Sequence, residues 1–336
     1  MSWHDYFEHD NEGWYYYKDR SVTKLPDNLP MPPTTNVSGM FSTCKQLEDI
    51  SALSKWDTSK VTNMRRMFQY CYGLKELSAL SNWDTSNVTI MNEMFYSCEH
   101  LQDISALSNW DISKVTDLNY MFGECSRLQD ISALSNWNIS KVTDMSGMFY
   151  GCESLRNLDA LSDWDTSKVI NMNCMFASCN LLRDINGLSK WDTSKVTDMC
   201  GIIGSCISLQ DITALSNWNT SNVTDMCETF NYCTKLQDIS ALSNWDTKKV
   251  TDMSYMFENC KSLQDITALS DWNTSNVTDM SYMFADCAAL NSLDLSEWDF
   301  SNVNDTTCMF SDCKSLQDVP AVPNRNPDDE YSDQDE

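Results

Sequence analysis

Apolar residues recur along this chain in a fixed order. In a typical stretch Val250, Met253, Met256, Phe257 and Cys260 precede Leu263, Ile266 and Leu269, and Trp272 opens the next round. Trp56, Trp83, Trp110, Trp137, Trp164, Trp191, Trp218, Trp245 and Trp272 stand 27 residues apart, and Trp298 follows 26 later. A fixed period in this range marks a solenoid, in which each unit buries its apolar face only against its neighbours. Within the unit, Val250, Met253, Phe257 and Cys260 step by three, four and three, which predicts a short helix. Asp246 and Thr247 ahead of it are capping residues, so the segment from Trp to Val reads as a tight corner. Leu263, Ile266 and Leu269 then continue the buried face in an extended segment.

The spacing L-x-x-I-x-A-L is close to the L-x-x-L-x-L of a leucine-rich repeat, whose short strands pair from unit to unit in a parallel sheet. Leu290, Leu293 and Leu295 fit that spacing without an extra residue, at the point where the period falls to 26. A one-residue bulge at the Ala of the other units, Ala241 for example, is therefore expected. The fold class expected is an α/β solenoid, a leucine-rich-repeat-like right-handed array of about eleven units of 26 to 27 residues, each a short strand plus a short helix. Three parts are expected: an aromatic-rich N-terminal cap over 1–33, the solenoid over 34–319, and a Pro-containing acidic disordered tail over 320–336.

The run W-D-T-S-x-V-T-x-M-x-x-M-F-x-x-C-x-x-L-x-x-I stands, with small departures, at Trp56 to Leu77, Trp110 to Ile131 and Trp191 to Ile212. It resembles the BspA-like leucine-rich repeats, which are abundant in mycoplasma surface lipoproteins and other bacterial surface proteins and also occur in protists. The resemblance covers residues 36 to 319. It implies a right-handed solenoid used for protein or glycan binding, in adhesion or host interaction. It implies no enzyme and carries over no individual binding residue.

Charge and cysteine content narrow the partners. With 23 basic and 49 acidic residues the formal net charge is -26, which repels a nucleic-acid backbone or an anionic lipid surface, so neither is an expected partner. No apolar run is long enough for a membrane span, and the acidic start MSWHDYFEHDNEGW is unlike a signal peptide, so by sequence the expected location is cytoplasmic. The family resemblance points instead to the cell surface or secretion. An intracellular scaffold for protein complexes is accordingly the alternative to adhesion. A monomer is expected.

Of the 15 cysteines, Cys44, Cys71, Cys98, Cys125, Cys152, Cys179, Cys206, Cys233, Cys260, Cys287 and Cys313 hold one place in the unit and read as a packing column. Cys174, Cys200, Cys227 and Cys308 are sporadic, near the Met positions. The Met columns read as core rather than as a copper site. The only histidines are His4, His9 and His100, and no glycine-rich phosphate loop is present, so no catalytic residue, metal site or cofactor is assigned.

Binding is expected instead on the non-leucine positions of the strand, which line the concave face of a leucine-rich horseshoe. Asp103, Asp130, Asp211, Asp238 and Asp265 form an acidic column there, next to Gln and Ser or Thr. Arg156, Asn157, Asp159, Arg183, Asp184 and Asn186 break the Gln-Asp-Ser rule and are added as candidates, since a basic pair in an acidic strip suits an acidic group of a partner. Two further acidic columns, after the Trp and before the first Met, are read as caps, because Asn replaces Asp in them at Asn138, Asn219, Asn63 and Asn171.

Overall fold

The structure, a computed structural model, describes residues 2–9, 14–317 and 322–323. The chain divides into two units, Met1–Val169 and Ile170–Glu336. Each is a stack of coils that repeat every 27 residues, as the Trp spacing predicts. Among the described residues no helix is long and apolar enough to cross a membrane.

Inside each unit the core is made of columns. Trp, Val, Met, Phe, Cys, Leu and Ile of successive coils are almost wholly buried. In the first unit Phe41, Phe68, Phe95 and Phe122 follow one another at 5.6–5.7 Å between ring centres, nearly parallel. In the second, Phe230, Phe257 and Phe284 stack at 5.4 and 5.6 Å. Such offset stacks add to the large apolar area the rings already bury.

Polar atoms of the recurring residues tie one coil to the next. The indole N–H of Trp83 donates to the carbonyl of Leu53 at 3.0 Å, and that of Trp245 to Leu215 at 3.2 Å. The thiol of Cys98 donates to the Phe68 carbonyl at 3.3 Å, and that of Cys260 to Phe230 at 3.2 Å. Buried threonines do the same toward the following coil, Thr58 to the Asp84 carbonyl at 3.0 Å and Thr220 to Asp246 at 3.1 Å. A buried backbone carbonyl without a partner is costly, so Trp, Thr and Cys recur because each covers one.

The stretch predicted as a helix takes another form. In an α-helix each N–H would bond four residues back within the segment. Here the N–H groups of Arg66, Phe68 and Tyr70 reach the carbonyls of Asn92, Met94 and Tyr96 on the next coil at 3.1, 2.9 and 2.8 Å. Those of Met67, Gln69 and Cys71 bond three residues back at 3.2, 3.1 and 3.1 Å. The result is a run of overlapping turns, with Arg66 and Tyr70 at φ of 56° and 61°. Overlapping turns bring every third or fourth side chain inward as a helix does, so the apolar spacing does not separate the two. The helix of the unit lies elsewhere: short 3-10 helices at Ser51–Lys55, Ser78–Leu80, Ser105–Asn109, Ser132–Leu134 and Asp159–Leu161 in the first unit. Asn186–Leu188, Thr213–Asn217, Ser240–Leu242 and Thr267–Leu269 are their equivalents in the second.

Ala241 therefore sits inside a helix and not at a bulge. The 26-residue round has no such helix at Leu293–Leu295, which accounts for its shorter length. The expected strand contracts to single parallel bridges, such as Glu76↔Asp103 and Asp184↔Asp211, since the 3-10 turn begins two residues later. A second ladder of bridges runs Asn63↔Ile90, Ile90↔Asp117 and Asp117↔Asp144.

Ahead of the first coil, β1 (Phe7–His9) and β2 (Tyr15–Tyr17) form an antiparallel hairpin. Phe7 and Tyr17 are buried, the Phe7 ring standing 6.0 Å from Phe41 and 6.2 Å from Trp56. The Tyr17 N–H bonds the Met40 carbonyl at 2.8 Å. The acidic residues of the tail, Asp328, Asp329, Glu330, Asp333, Asp335 and Glu336, lie outside the described residues.

Candidate binding surface

Along the segment after each buried Leu, burial alternates with exposure. Leu236 is buried, Gln237 and Asp238 are exposed, Ile239 is buried and Ser240 is exposed; Leu263 to Thr267 repeat the order. In the second unit these side chains line two grooves. One, of about 310 Å³, lies among Gln237, Asp238, Ser240, Gln264, Asp265 and Thr267. The other, of about 440 Å³, lies among Gln210, Lys235, Gln237, Asp238 and Ser262.

The aspartates of this strip have a structural task that the sequence reading did not give them. Oδ1 of Asp103, Asp130, Asp211, Asp238 and Asp265 accepts the N–H two residues on, at 2.8, 2.8, 2.9, 2.8 and 2.8 Å. Each closes a turn ahead of a 3-10 helix. Hydrogen bonds from the Ser240 N–H and hydroxyl hold the Asp238 carboxyl below the usual aspartate range. Asp103 is lowered in the same way by Ser105.

Both other acidic columns make the same turn. Asp84 accepts from the Ser86 N–H at 3.0 Å and Asp252 from the Ser254 N–H at 2.9 Å, while Asn63 does so for Arg65 at 2.9 Å. A full coil thus turns three corners on Asx residues, with Glu76 and Ile90 as departures from the rule. The column before the first Met is less exposed: burial, with neighbouring Asp144 adding, raises the Asp117 carboxyl.

Where the Gln-Asp-Ser rule breaks, the residues fall into different units. Arg156, Asn157 and Asp159 belong to the first and are exposed; Asn157 Oδ1 accepts from the Asp159 N–H at 3.4 Å. Arg183, Asp184 and Asn186 belong to the second, where Arg183 is exposed, Asp184 pairs with Asp211 and Asp184 Oδ1 accepts from the Asn186 N–H at 3.3 Å.

A third groove escaped the sequence reading. In the first unit Tyr70, Tyr96, Tyr120 and Tyr150, with Glu93 and Asn119, line a cavity of about 500 Å³. The rings meet edge to face at 5.6, 5.7 and 5.9 Å. Glu93 takes two bonds from the Arg66 guanidinium, at 2.9 and 2.7 Å, and one from Gln69 at 2.7 Å. Burial, with Glu124 close by, pushes the Tyr96 hydroxyl up to about 12. These tyrosines sit in the turn segment taken for a helix. The signal for them was there, tyrosine recurring beside the Met-Phe pair, but a helical reading scatters those positions around an axis.

Residues 35–157, 116–241, 182–268 and 235–326 match the family model described as "Mycoplasma protein of unknown function, DUF285". No curated protein matches the chain. Among solved structures, a leucine-rich cell surface protein of Faecalibacterium prausnitzii is similar at 17% identity over 85% of this chain and 91% of its own, with a TM-score of 0.34. A leucine-rich repeat protein of Bacteroides ovatus is similar at 20% identity over 73% of this chain and 72% of its own, with a TM-score of 0.29.

Proposed function

The chain belongs to the mycoplasma-type repeat family of that description, and from this premise we propose that it is a non-enzymatic binding protein that holds an extended protein or glycan ligand along its Gln-Asp strip, in adhesion or host interaction. The observation that carries the reading is the grooved strip itself. Gln210, Gln237 and Gln264 keep exposed amides in register from coil to coil, and the aspartates beside them use Oδ1 internally. Coils paired through parallel bridges repeat about every 4.8 Å, so the strip offers a polymer the same donors and acceptors again and again. The acidic charge favours a basic or hydroxyl-rich ligand. In this reading residues 1–33 cover the open face of the first coil and 34–319 present the surface.

Glycan and peptide arrays probed with the full chain test the proposal. Binding is expected to fall about tenfold to a hundredfold in the Gln237→Ala, Gln264→Ala double variant, since each lost hydrogen bond costs about 0.5–1.5 kcal/mol. Unchanged binding by that variant, with native circular dichroism, overturns it. The buried thiols of the column, such as Cys98 and Cys260, favour a second reading, a scaffold inside the cell, which counting alkylated thiols on protein from its native source separates from the first.

A further inference from the structure

Two of the four sporadic cysteines meet. Asp198 and Asp225 pair in a parallel bridge, and each turns its coil by accepting the N–H two residues on, that of Cys200 and that of Cys227, both at 3.0 Å. Cys200 and Cys227 are thereby placed one above the other, with Cα atoms 4.6 Å apart, and are joined as a disulfide. Each sulfur and a carboxylate oxygen of Asp225 lie within 4.8 Å of one another, and all three residues are half-buried. Among the described residues no other group of His, Cys, Asp and Glu gathers this closely.

Acidic residues surround the half-buried pair: Asp198, Asp252 and Glu228 stand near Asp225. Gly201 stands where Tyr255 and Tyr282 stand in later coils, with the Cys174 sulfur and the Glu228 side chain beside it.

We propose that Cys200 and Cys227 in their dithiol form, together with Asp225, bind a thiophilic divalent cation of the zinc class. Two thiolates and one carboxylate are a donor set that such an ion takes, leaving a fourth position for water. Zn–S bonds of about 2.3 Å and Zn–O bonds of about 2.0–2.2 Å place tetrahedral donors roughly 3.5–3.8 Å apart, a spacing open to the two sulfurs once their bond is reduced, on Cα atoms 4.6 Å apart. The carboxylate that closes the turn through Oδ1 retains Oδ2 for the metal. Disulfide and metal exclude each other. A dithiol reductant gives two electrons and two protons to the Cys200–Cys227 bond and becomes a disulfide itself; both thiol protons leave as the cation binds.

The test uses the full chain, reduced with a phosphine, freed of reductant without air and titrated with Co²⁺ and then Zn²⁺. A single equivalent of Co²⁺ is expected to bind with thiolate charge-transfer absorption and to be displaced by Zn²⁺, while the oxidised protein shows none. Cys227→Ser, a change to the residue found at Ser254 and Ser281, is expected to abolish the absorption. Asp225→Asn, which keeps the turn as Asn63 does, weakens binding by more than about tenfold, and Cys174→Ser leaves it intact. No uptake by natively folded reduced protein, or uptake that survives Cys227→Ser, overturns the proposal.

Discussion

The buried threonines give the sharpest quantitative expectation. Thr193 is 1% exposed; its hydroxyl donates to the Asn219 carbonyl at 3.1 Å and accepts from the Asn219 N–H at 2.8 Å. Thr274 and Asp299 make the same reciprocal pair at 3.0 and 2.8 Å. Thr193→Val keeps the β-branched shape and opens no large cavity, but orphans an N–H and a C=O together. Each orphaned group costs about 1–3 kcal/mol. Asn219 is itself exposed, so water recovers part of the loss and the low end applies, about 2 kcal/mol in all. That is roughly thirtyfold in the unfolding constant. Equilibrium urea unfolding followed by tryptophan fluorescence reads it directly, because the Trp column is buried. Thr197→Val is the control: its hydroxyl is exposed and contacts the Ile170 carbonyl at 3.4 Å, so a change within about 0.5 kcal/mol is expected. If Thr193→Val proves as mild as Thr197→Val, the hydroxyl does not hold the coils together and the account of the recurring Thr fails.

Four further expectations concern single groups. Burial raises the folded-state value of Asp117 above its unfolded one, so whatever stability it adds is present at low pH and lost as pH rises through the folded value; Asp117→Asn should therefore be more stable than the parent at pH 7, with the gap closing below about pH 4, in thermal melts across pH. Asp238 has the opposite sign: its lowered value adds stability above about pH 4 that is lost on acidification, so the Asp238→Ala penalty should shrink as pH falls. Burial pushes the Cys206 thiol up to about 12 and that of half-buried Cys174 only to about 11, so peptide mapping after alkylation of the native, unreduced protein should find Cys174 labelled ahead of the column. Ser205 holds a φ of 59°, and Ser205→Gly should raise stability by up to about 1 kcal/mol in urea unfolding, less the backbone entropy that Gly adds to the unfolded chain.

The period, the buried columns and the family were legible because the same residues return at the same place often enough to outweigh any local ambiguity. The form of the coil was not. Val250 to Cys260 carries an apolar spacing common to a helix and to overlapping turns, and what decides between them is the N–H groups that leave for the next coil, such as Tyr255 N–H to the Ser281 carbonyl at 2.8 Å. Spacing within one unit contains no trace of bonds made to another. Asp238 was read as a surface group because Gln and Ser flank it; the Asx turn it makes depends on a 3-10 helix at Ser240–Leu242 that three residues of sequence do not announce. Cys200 and Cys227 were noticed as departures from the unit, and their meeting follows from the 27-residue step between them, which in a stack of coils is direct contact.

The most direct test of the central claim is hydrogen exchange on the full chain with and without the tightest ligand from the arrays. The account predicts slowed exchange over 237–240 and 264–267, where the grooves of the Gln-Asp strip lie. Protection that falls on Tyr70, Tyr96, Tyr120 and Tyr150, and leaves the strip unchanged, would contradict it.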